Sequence, residues 1–256
     1  MTDQSRTIWT LSGTEVLPFL QGLVTNDVLP LARGPGAVWA SLLTPQGKYL
    51  ADFFVIHRPD AHEGEILIDI PAALAPATLR RLTMYRLRAD VQIGESALHV
   101  SRGLDAPPQG ALPDPRDPAL GWRLYSETPL PAPEVDWDAL RVAHLVPEYP
   151  QELVPDDSYI LEMGFERLHG VDFRKGCYVG QEVTARMKHK TELRKGLAQV
   201  AVGGAASPGA AITLPDGREA GRLGTVAGDR ALAWLRMDRA EGPLLAGDAN
   251  LRLLAR

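Results

Sequence analysis

Short apolar runs separated by turn residues make up most of the hydrophobic pattern of this chain. Residues 37–43 and 49–57 are two such runs, and the Thr-Pro-Gln-Gly stretch between them, residues 44–47, has strong turn chemistry. Residues 66–70 form a third run, and residues 90–93 form a shorter fourth run. The pattern therefore predicts a hairpin and two further strands.

Three other stretches carry helical signals. Ser12 and Glu15 have the spacing of a capping box, so a short helix is predicted over residues 16–23. Apolar positions recur at helical spacing through residues 72–87, and a third helix is predicted over residues 137–146. The aspartate directly before that third helix, Asp136, is its predicted N-cap.

The character of the chain changes towards its C-terminus. Residues 102–135 are rich in proline and glycine and are expected to be mostly loop, with one strand near residues 121–125. After Lys195, short apolar runs alternate with Gly, Pro and Asp, which predicts a small barrel or sandwich. A boundary between residues 188 and 195 divides the chain into two predicted domains, residues 1–190 and residues 191–256.

Composition is that of an ordinary globular protein. Of 256 residues, 45% are hydrophobic and 23% are charged. No apolar run approaches the ~20 residues that span a bilayer, and the first six residues lack the features of a signal peptide. The single cysteine, Cys177, excludes an internal disulfide and a multi-cysteine metal site. These features predict a cytoplasmic protein with no membrane partner.

The formal net charge of −5 bears on the class of ligand. Broad affinity for nucleic acid usually needs a basic field that neutralises phosphates. The acidic balance argues against such binding, and it favours a small molecule or a protein as partner.

Residues 172–186 carry the most informative chemistry. Gly176 and Gly180 bracket Cys177, so the backbone there can turn sharply. A helix is predicted to follow, and Arg174 and Lys175 lie nearby, which would favour the thiolate of Cys177. The alternative is a small buried apolar thiol with no chemical role.

The octapeptide KGCYVGQE, residues 175–182, matches K-G-C-[FY]-x-G-Q-E at every fixed position. This motif resembles the signature of the YgfZ family, which is related to the glycine-cleavage T-protein, an aminomethyltransferase. Residues 19–27, residues 43–52, the Leu-Arg-Val-Ala stretch at residues 140–143 and residues 221–235 are similar to other parts of the family pattern.

The resemblance implies an α+β fold of the T-protein type, a three-lobed ring with two α/β lobes and a small C-terminal β-barrel. Tetrahydrofolate would bind as cofactor in the central hole of the ring. The motif residues expected at or near the folate are Lys175, Gly176, Cys177, Tyr178, Gly180, Gln181 and Glu182. For Gln181 and Glu182, ordinary helix-start chemistry is the alternative.

Two residues outside the motif are further candidates by the same resemblance. Asp52 lies where the T-protein has an acidic residue of the type that contacts reduced folate, and it is also a possible general base. The alternative is a polar residue on the exposed face of a strand. Arg141 could pair with the glutamate tail of folate, or it could be a solvated or locally paired side chain.

A run of basic residues is a third candidate for the polyglutamate tail, for tRNA or for an acidic partner, unless it is simply a solvated face. Its members are Arg186, Lys188, His189, Lys190, Arg194 and Lys195.

Three functions follow from the resemblance. The first is a folate-binding accessory protein that supports the assembly or repair of iron–sulfur clusters, including those of tRNA-modifying enzymes, with iron–sulfur enzymes or assembly factors as partners. The second is an aminomethyltransferase, a folate-dependent one-carbon transferase. The third is a non-enzymatic folate- or tRNA-binding module, in which Cys177 would be dispensable.

Overall fold

The structure is a computed structural model that describes residues 5–58, 60, 65–189 and 193–256. The chain divides into two compact units. The first unit contains Met1–Glu134 and Leu168–Gln181, and the second contains Val135–Arg167 and Glu182–Arg256. The domain boundary predicted at residue 190 falls outside the described residues, so it stays a prediction.

A five-stranded antiparallel sheet in the order β2-β3-β4-β1-β5 forms the core of the first unit. Its strands are β1 (Arg6–Ser12), β2 (Gly36–Leu43), β3 (Tyr49–His57), β4 (Ile66–Pro71) and β5 (Gln92–Glu95). The predicted hairpin is confirmed as β2 and β3, and β4 is buried along its whole length. The continuous apolar runs in the sequence are explained by this burial.

The start of the chain differs from the prediction. Ser12 ends the strand β1 and does not cap a helix, and α1 (Val16–Gln21) begins without a side-chain cap. Instead, the carboxylate of Glu15 accepts a hydrogen bond of 2.7 Å from the backbone N–H of Asp90. The capping-box prediction is therefore wrong, because this carboxylate satisfies a donor 75 residues away and not one at its own helix start.

The first unit also contains a second helix and a small sheet. Helix α2 (Ala75–Arg86) is shorter than predicted at both ends. The three-stranded sheet has the order β6-β8-β7. Its strands are β6 (His99–Gly103), β7 (Leu112–Pro113) and β8 (Trp122–Ser126).

The second unit contains α3 (Trp137–His144), the helix α4 (Gln181–His189), which starts at the unit boundary, and a closed barrel in the order β10-β11-β12-β9-β14-β13. The carboxylate of Asp136 accepts a hydrogen bond of 2.9 Å from the backbone N–H of Ala139, which confirms the predicted cap. The barrel strands are β9 (Lys195–Gly203), β10 (Ala211–Thr213), β11 (Glu219–Ala227), β12 (Arg230–Arg236), β13 (Leu244–Ala246) and β14 (Ala249–Ala255).

Small and branched apolar side chains fill the barrel, among them Ala198, Val200, Leu223 and Ala233. The predicted α+β class and the C-terminal barrel are confirmed. Within the described part of the chain, no helix is both long enough and apolar enough to cross a membrane.

Candidate functional site

Cys177 lies on an exposed loop of the first unit. Its side chain is a free thiol, and the residue is exposed. Of the two alternatives for this cysteine, the buried apolar thiol is therefore wrong. The neighbouring guanidinium of Arg174 is 94% exposed and pairs with Asp172 at 3.7 Å, so it is a solvated charge beside the loop.

The two glycines of the motif differ in what they do. Gly180 has φ +86°, and a Cβ there would lie 2.6 Å from the carbonyl oxygen of Thr44, so only glycine fits. Gly176 is exposed, and a Cβ there would meet nothing within 4 Å. Tyr178, between them, is buried and has its ring centroid 5.0 Å from the ammonium nitrogen of Lys175.

Lys175 is buried, with 8% of its surface exposed, and its ammonium group forms hydrogen bonds inside the protein. Its Nζ donates to the carbonyl oxygens of Gln21 at 2.7 Å and Val24 at 2.5 Å, at the C-terminal end of α1. Burial lowers the pKa of Lys175 to about 8, and the nearby carboxylates of Asp27 and Asp172 oppose this shift. The predicted contact of Lys175 with folate stays a prediction, and its observed contacts are structural.

Gln181 and Glu182 form the first turn of α4. Glu182 is exposed, and an acidic side chain in a first turn stabilises the helix dipole. Their placement matches the helix-start interpretation.

Asp52 lies on β3 and is buried, with 6% of its surface exposed. The alternative of a solvent-exposed strand residue is therefore wrong. Its carboxylate accepts hydrogen bonds from Tyr49 Oη at 2.6 Å and from Trp39 Nε1 at 2.9 Å. Burial and the adjacent carboxylate raise the pKa of Tyr49, which keeps the phenol protonated as a donor.

Trp39 and Tyr49 were missed by the sequence reasoning. The position of Trp39 carries a detectable signal, because Ser41 pairs with Asp52 across the predicted hairpin. Trp39 is two residues from Ser41 and therefore lies on the same face of the sheet, as a diagonal neighbour of Asp52. Each carboxylate oxygen offers two acceptor positions, so Asp52 keeps capacity for a further donor beside its two partners.

Arg141 lies on α3, in the second unit, and is buried within a set of carboxylates. Its Nη2 donates to Asp138 at 2.7 Å and Thr225 at 2.9 Å. Its other nitrogens lie 3.3 Å from Glu152 and 3.4 Å from Glu148. Burial tends to lower the pKa of Arg141, but Glu148 and Glu152 raise it. This guanidinium is locally paired, so it does not fit the glutamate tail of a folate.

The basic run at the end of α4 is partly paired as well. Lys188 forms an ion pair with Glu166, and the ammonium of Lys195 lies 4.5 Å from the ring centroid of Trp234. Lys190 lies outside the described residues. Arg186, His189 and Arg194 are exposed.

Within residues 5–58, 60, 65–189 and 193–256, no group of three or more His, Cys, Asp or Glu side chains could hold a metal ion. The described part of the chain therefore offers no preformed cage of three or more such ligands.

Comparison with known proteins identifies relatives in sequence and a solved structure with the same fold. The C-terminal residues 194–255 match the model of the C-terminal β-barrel domain of CAF17. The mouse protein named iron–sulfur cluster assembly factor IBA57, mitochondrial, is 32% identical over 98% of this chain and 81% of its own length. Its human counterpart is 29% identical over 93% of this chain and 78% of its own length. A homologue from Mycosarcoma maydis is 34% identical over 72% of this chain, but the match spans only 52% of that protein.

A solved structure with the same fold is the glycine cleavage system aminomethyltransferase T from Bartonella henselae. It superposes with a TM-score of 0.74 over 98% of this chain and 83% of its own, at 12% sequence identity. The likeness shows that the fold is of the T-protein type. The predicted cytoplasmic location, by contrast, is contradicted, because the mouse, human and fungal relatives are named as mitochondrial proteins.

Proposed function

This chain belongs to the family of the IBA57 iron–sulfur cluster assembly factors, and we propose that it takes part in iron–sulfur cluster assembly with Cys177 as the thiolate that meets the cluster. The observation that carries the proposal is the exposed free thiol on the KGCYVGQE loop of a chain with one cysteine. A cysteine must be accessible to bind iron, and Cys177 is exposed.

The remaining ligands of such a cluster would come from a partner. Clusters of the [2Fe–2S] and [4Fe–4S] types usually have four cysteine ligands, and this chain supplies one. Because the described residues hold no preformed metal cage, the cluster is cargo received from, or shared with, another assembly factor. We also propose that its final clients are iron–sulfur enzymes, with tRNA-modifying enzymes among them.

A cluster-transfer assay tests this role. Wild-type protein, Cys177→Ser and the loop control Arg174→Ala are each mixed anaerobically with a cluster-loaded scaffold protein and an apo client enzyme. We expect the Ser variant to slow recovery of client activity by at least about tenfold. We expect the Arg174 variant to stay within about twofold of wild type, because its side chain is solvated. Equal rates for wild type and Cys177→Ser would overturn the proposed role of the thiolate.

We further propose that reduced folate, as tetrahydrofolate, binds near Asp52. The support is chemical, because a buried carboxylate held by two neutral donors keeps acceptor positions for an N–H group of the pterin. When bound, tetrahydrofolate would supply a carrier for one-carbon units. The tail of the folate would need another cation than Arg141, whose charge is already paired.

Calorimetric titration with tetrahydrofolate tests that second proposal. Asp52→Asn removes the charge but keeps the shape, and we expect it to weaken binding by about tenfold or more. Arg141→Lys should change the affinity little. The absence of binding by the folded wild-type protein would refute the folate proposal and leave the role in cluster assembly untouched. Aminomethyl transfer rests on the fold alone, which does not fix a function.

A further inference from the structure

Residues 21–26, which we call the anchor segment, belong to the stretch that resembles the family pattern but has no role in the function proposed above. The segment begins with Gln21, the last residue of α1, and ends at Asn26. Residues 169–175 lead into Cys177 and form hydrogen bonds directly with the anchor segment. Most of these bonds join residues that are at least 145 positions apart in the sequence.

The first part of the contact involves Thr25 and Asn26. Thr25 Oγ1 donates to the carbonyl oxygen of Gly170 at 2.7 Å, and the backbone N–H of Asp172 donates to the carbonyl oxygen of Thr25 at 3.1 Å. Asn26 Nδ2 donates to the carbonyl oxygen of His169 at 2.6 Å. These bonds attach residues 169, 170 and 172, which precede the loop, to the anchor segment.

The anchor segment is in turn fixed to the central sheet. The backbone N–H of Thr25 donates to Ser41 O at 3.0 Å, and the N–H of Ser41 donates back to Thr25 Oγ1 at 2.9 Å. Asn26 Nδ2 also donates to the carbonyl oxygen of Trp39 at 2.9 Å. Since β2 belongs to the five-stranded sheet, these bonds attach the segment, and through it the loop, to that sheet.

Lys175 supplies the last attachment before the thiol. Its ammonium reaches the carbonyl oxygens of Gln21 and Val24, where a cation also interacts favourably with the helix end. On the other side of Cys177, Gly180 packs against the backbone at Thr44. Between these two attachments, Gly176 and Cys177 are exposed.

We propose that Lys175 is a positioning residue for Cys177, acting with Asn26 to hold the thiol-bearing loop on the anchor segment. The motif lysine then acts on the backbone carbonyl oxygens of Gln21 and Val24. This role of Lys175 rests on the proposed function, since the position of the loop matters for cluster assembly only if Cys177 binds a cluster. The geometry of the loop is testable without any cluster.

A nitroxide attached to Cys177 measures that geometry directly, because the chain has no other cysteine to remove. Electron paramagnetic resonance would compare wild type with Lys175→Met, which keeps the length of the side chain but removes its donors. We expect the correlation time of the label to become at least about twofold shorter, because the loop loses an attachment. Lys175→Arg, which restores donors and charge, should recover much of the wild-type spectrum.

Two further variants keep the test decisive. Lys188→Met makes the same chemical change on an exposed lysine of the second unit and should leave the spectrum unchanged. Asn26→Ala removes the bonds to His169 and Trp39 and should mobilise the label even if Lys175→Met fails to fold. A folded Lys175→Met or Asn26→Ala protein with the wild-type spectrum would overturn the inference. Loss of cluster transfer in Cys177→Ser is a separate result, so failure of one proposal does not conceal failure of the other.

Discussion

Two buried aspartates on neighbouring strands of one sheet have opposite surroundings. Asp69 on β4 lies 2.6 Å from Arg6 and 2.5 Å from Arg123, and it also accepts a hydrogen bond from Tyr125 at 2.9 Å. Asp52 on β3 has neutral partners, the phenol and indole described above. Both are almost fully buried, so the difference lies in the charge of the groups around them.

Asp69 is a structural residue whose charge is paired inside the protein. Burial alone would raise its pKa, but the guanidinium groups of Arg6 and Arg123 lower it from 3.8 to about 2. The carboxylate is ionised, and its charge is balanced within the fold. Phe54, whose ring centroid lies 4.0 Å from the guanidinium carbon of Arg123, packs beside this pair.

The charges around the two carboxylates decide which of them can accept a further hydrogen-bond donor. A buried anion balanced by two cations has little to gain from another partner, whereas one held by neutral donors can still accept from a cationic or N–H group. We therefore assign a structural role to Asp69, and the proposed contact with folate remains assigned to Asp52 as a prediction.

The largest expected effect is that of Asp69→Asn on stability. This change removes the anion shared by the buried Arg123 and the partly exposed Arg6, while Arg123 keeps its 3.5 Å contact with Asp114, so we expect a loss of about 3 kcal/mol in the free energy of unfolding. Asp52→Asn removes a charge with neutral partners and should cost about 1–2 kcal/mol. Urea unfolding followed by tryptophan fluorescence measures both. Similar losses for the two variants would show that the two aspartates do not differ in their contribution to stability.

The dependence of stability on pH gives a second, smaller effect. The folded-state pKa of Asp69 is depressed, so its contribution is present above the unfolded value of 3.8 and is lost as pH falls towards about 2. The size of the shift corresponds to about 2 kcal/mol. The difference in unfolding free energy between wild type and Asp69→Asn should therefore shrink by about this amount between pH 5 and about pH 2. A difference that is constant over this window would show that the ion pair is not the source of the stabilisation.

Local chemistry in the sequence predicted much of the fold and one part of the site. Turn residues 44–47 and the apolar runs beside them were enough to predict the hairpin, and Asp136 was enough to predict a helix start. The strand Arg6–Ser12 was missed because its pairing with β4 and β5 is non-local, while the S-x-x-E spacing after it imitates a cap.

The site was predictable only where one segment carries it. The KGCYVGQE loop is contiguous, so its exposed cysteine was found. The partners of that loop are not contiguous with it, since Lys175 bonds to a carbonyl 154 residues earlier in the chain. Arg141 shows the reverse case, in which a residue suited to an anionic ligand is already paired by the carboxylates Glu148 and Glu152. No local pattern distinguishes a free guanidinium from one that folding has paired.

The smallest expected effect is that of Tyr49→Phe, at the phenol that contacts Asp52. Tyr49→Phe removes the 2.6 Å hydrogen bond to the carboxylate and nothing else of comparable size, so we expect a loss of about 1 kcal/mol. A double-mutant cycle with Asp52→Ala should give a coupling energy of about 1 kcal/mol, because that variant removes the acceptor of the bond. If the two losses simply add, the phenol does not hold the carboxylate, and Asp52 would have to owe its buried position to Trp39 alone. If they couple, the hydrogen bond from the neutral phenol of Tyr49 stabilises the protein through Asp52, whereas Asp69 is stabilised by cations.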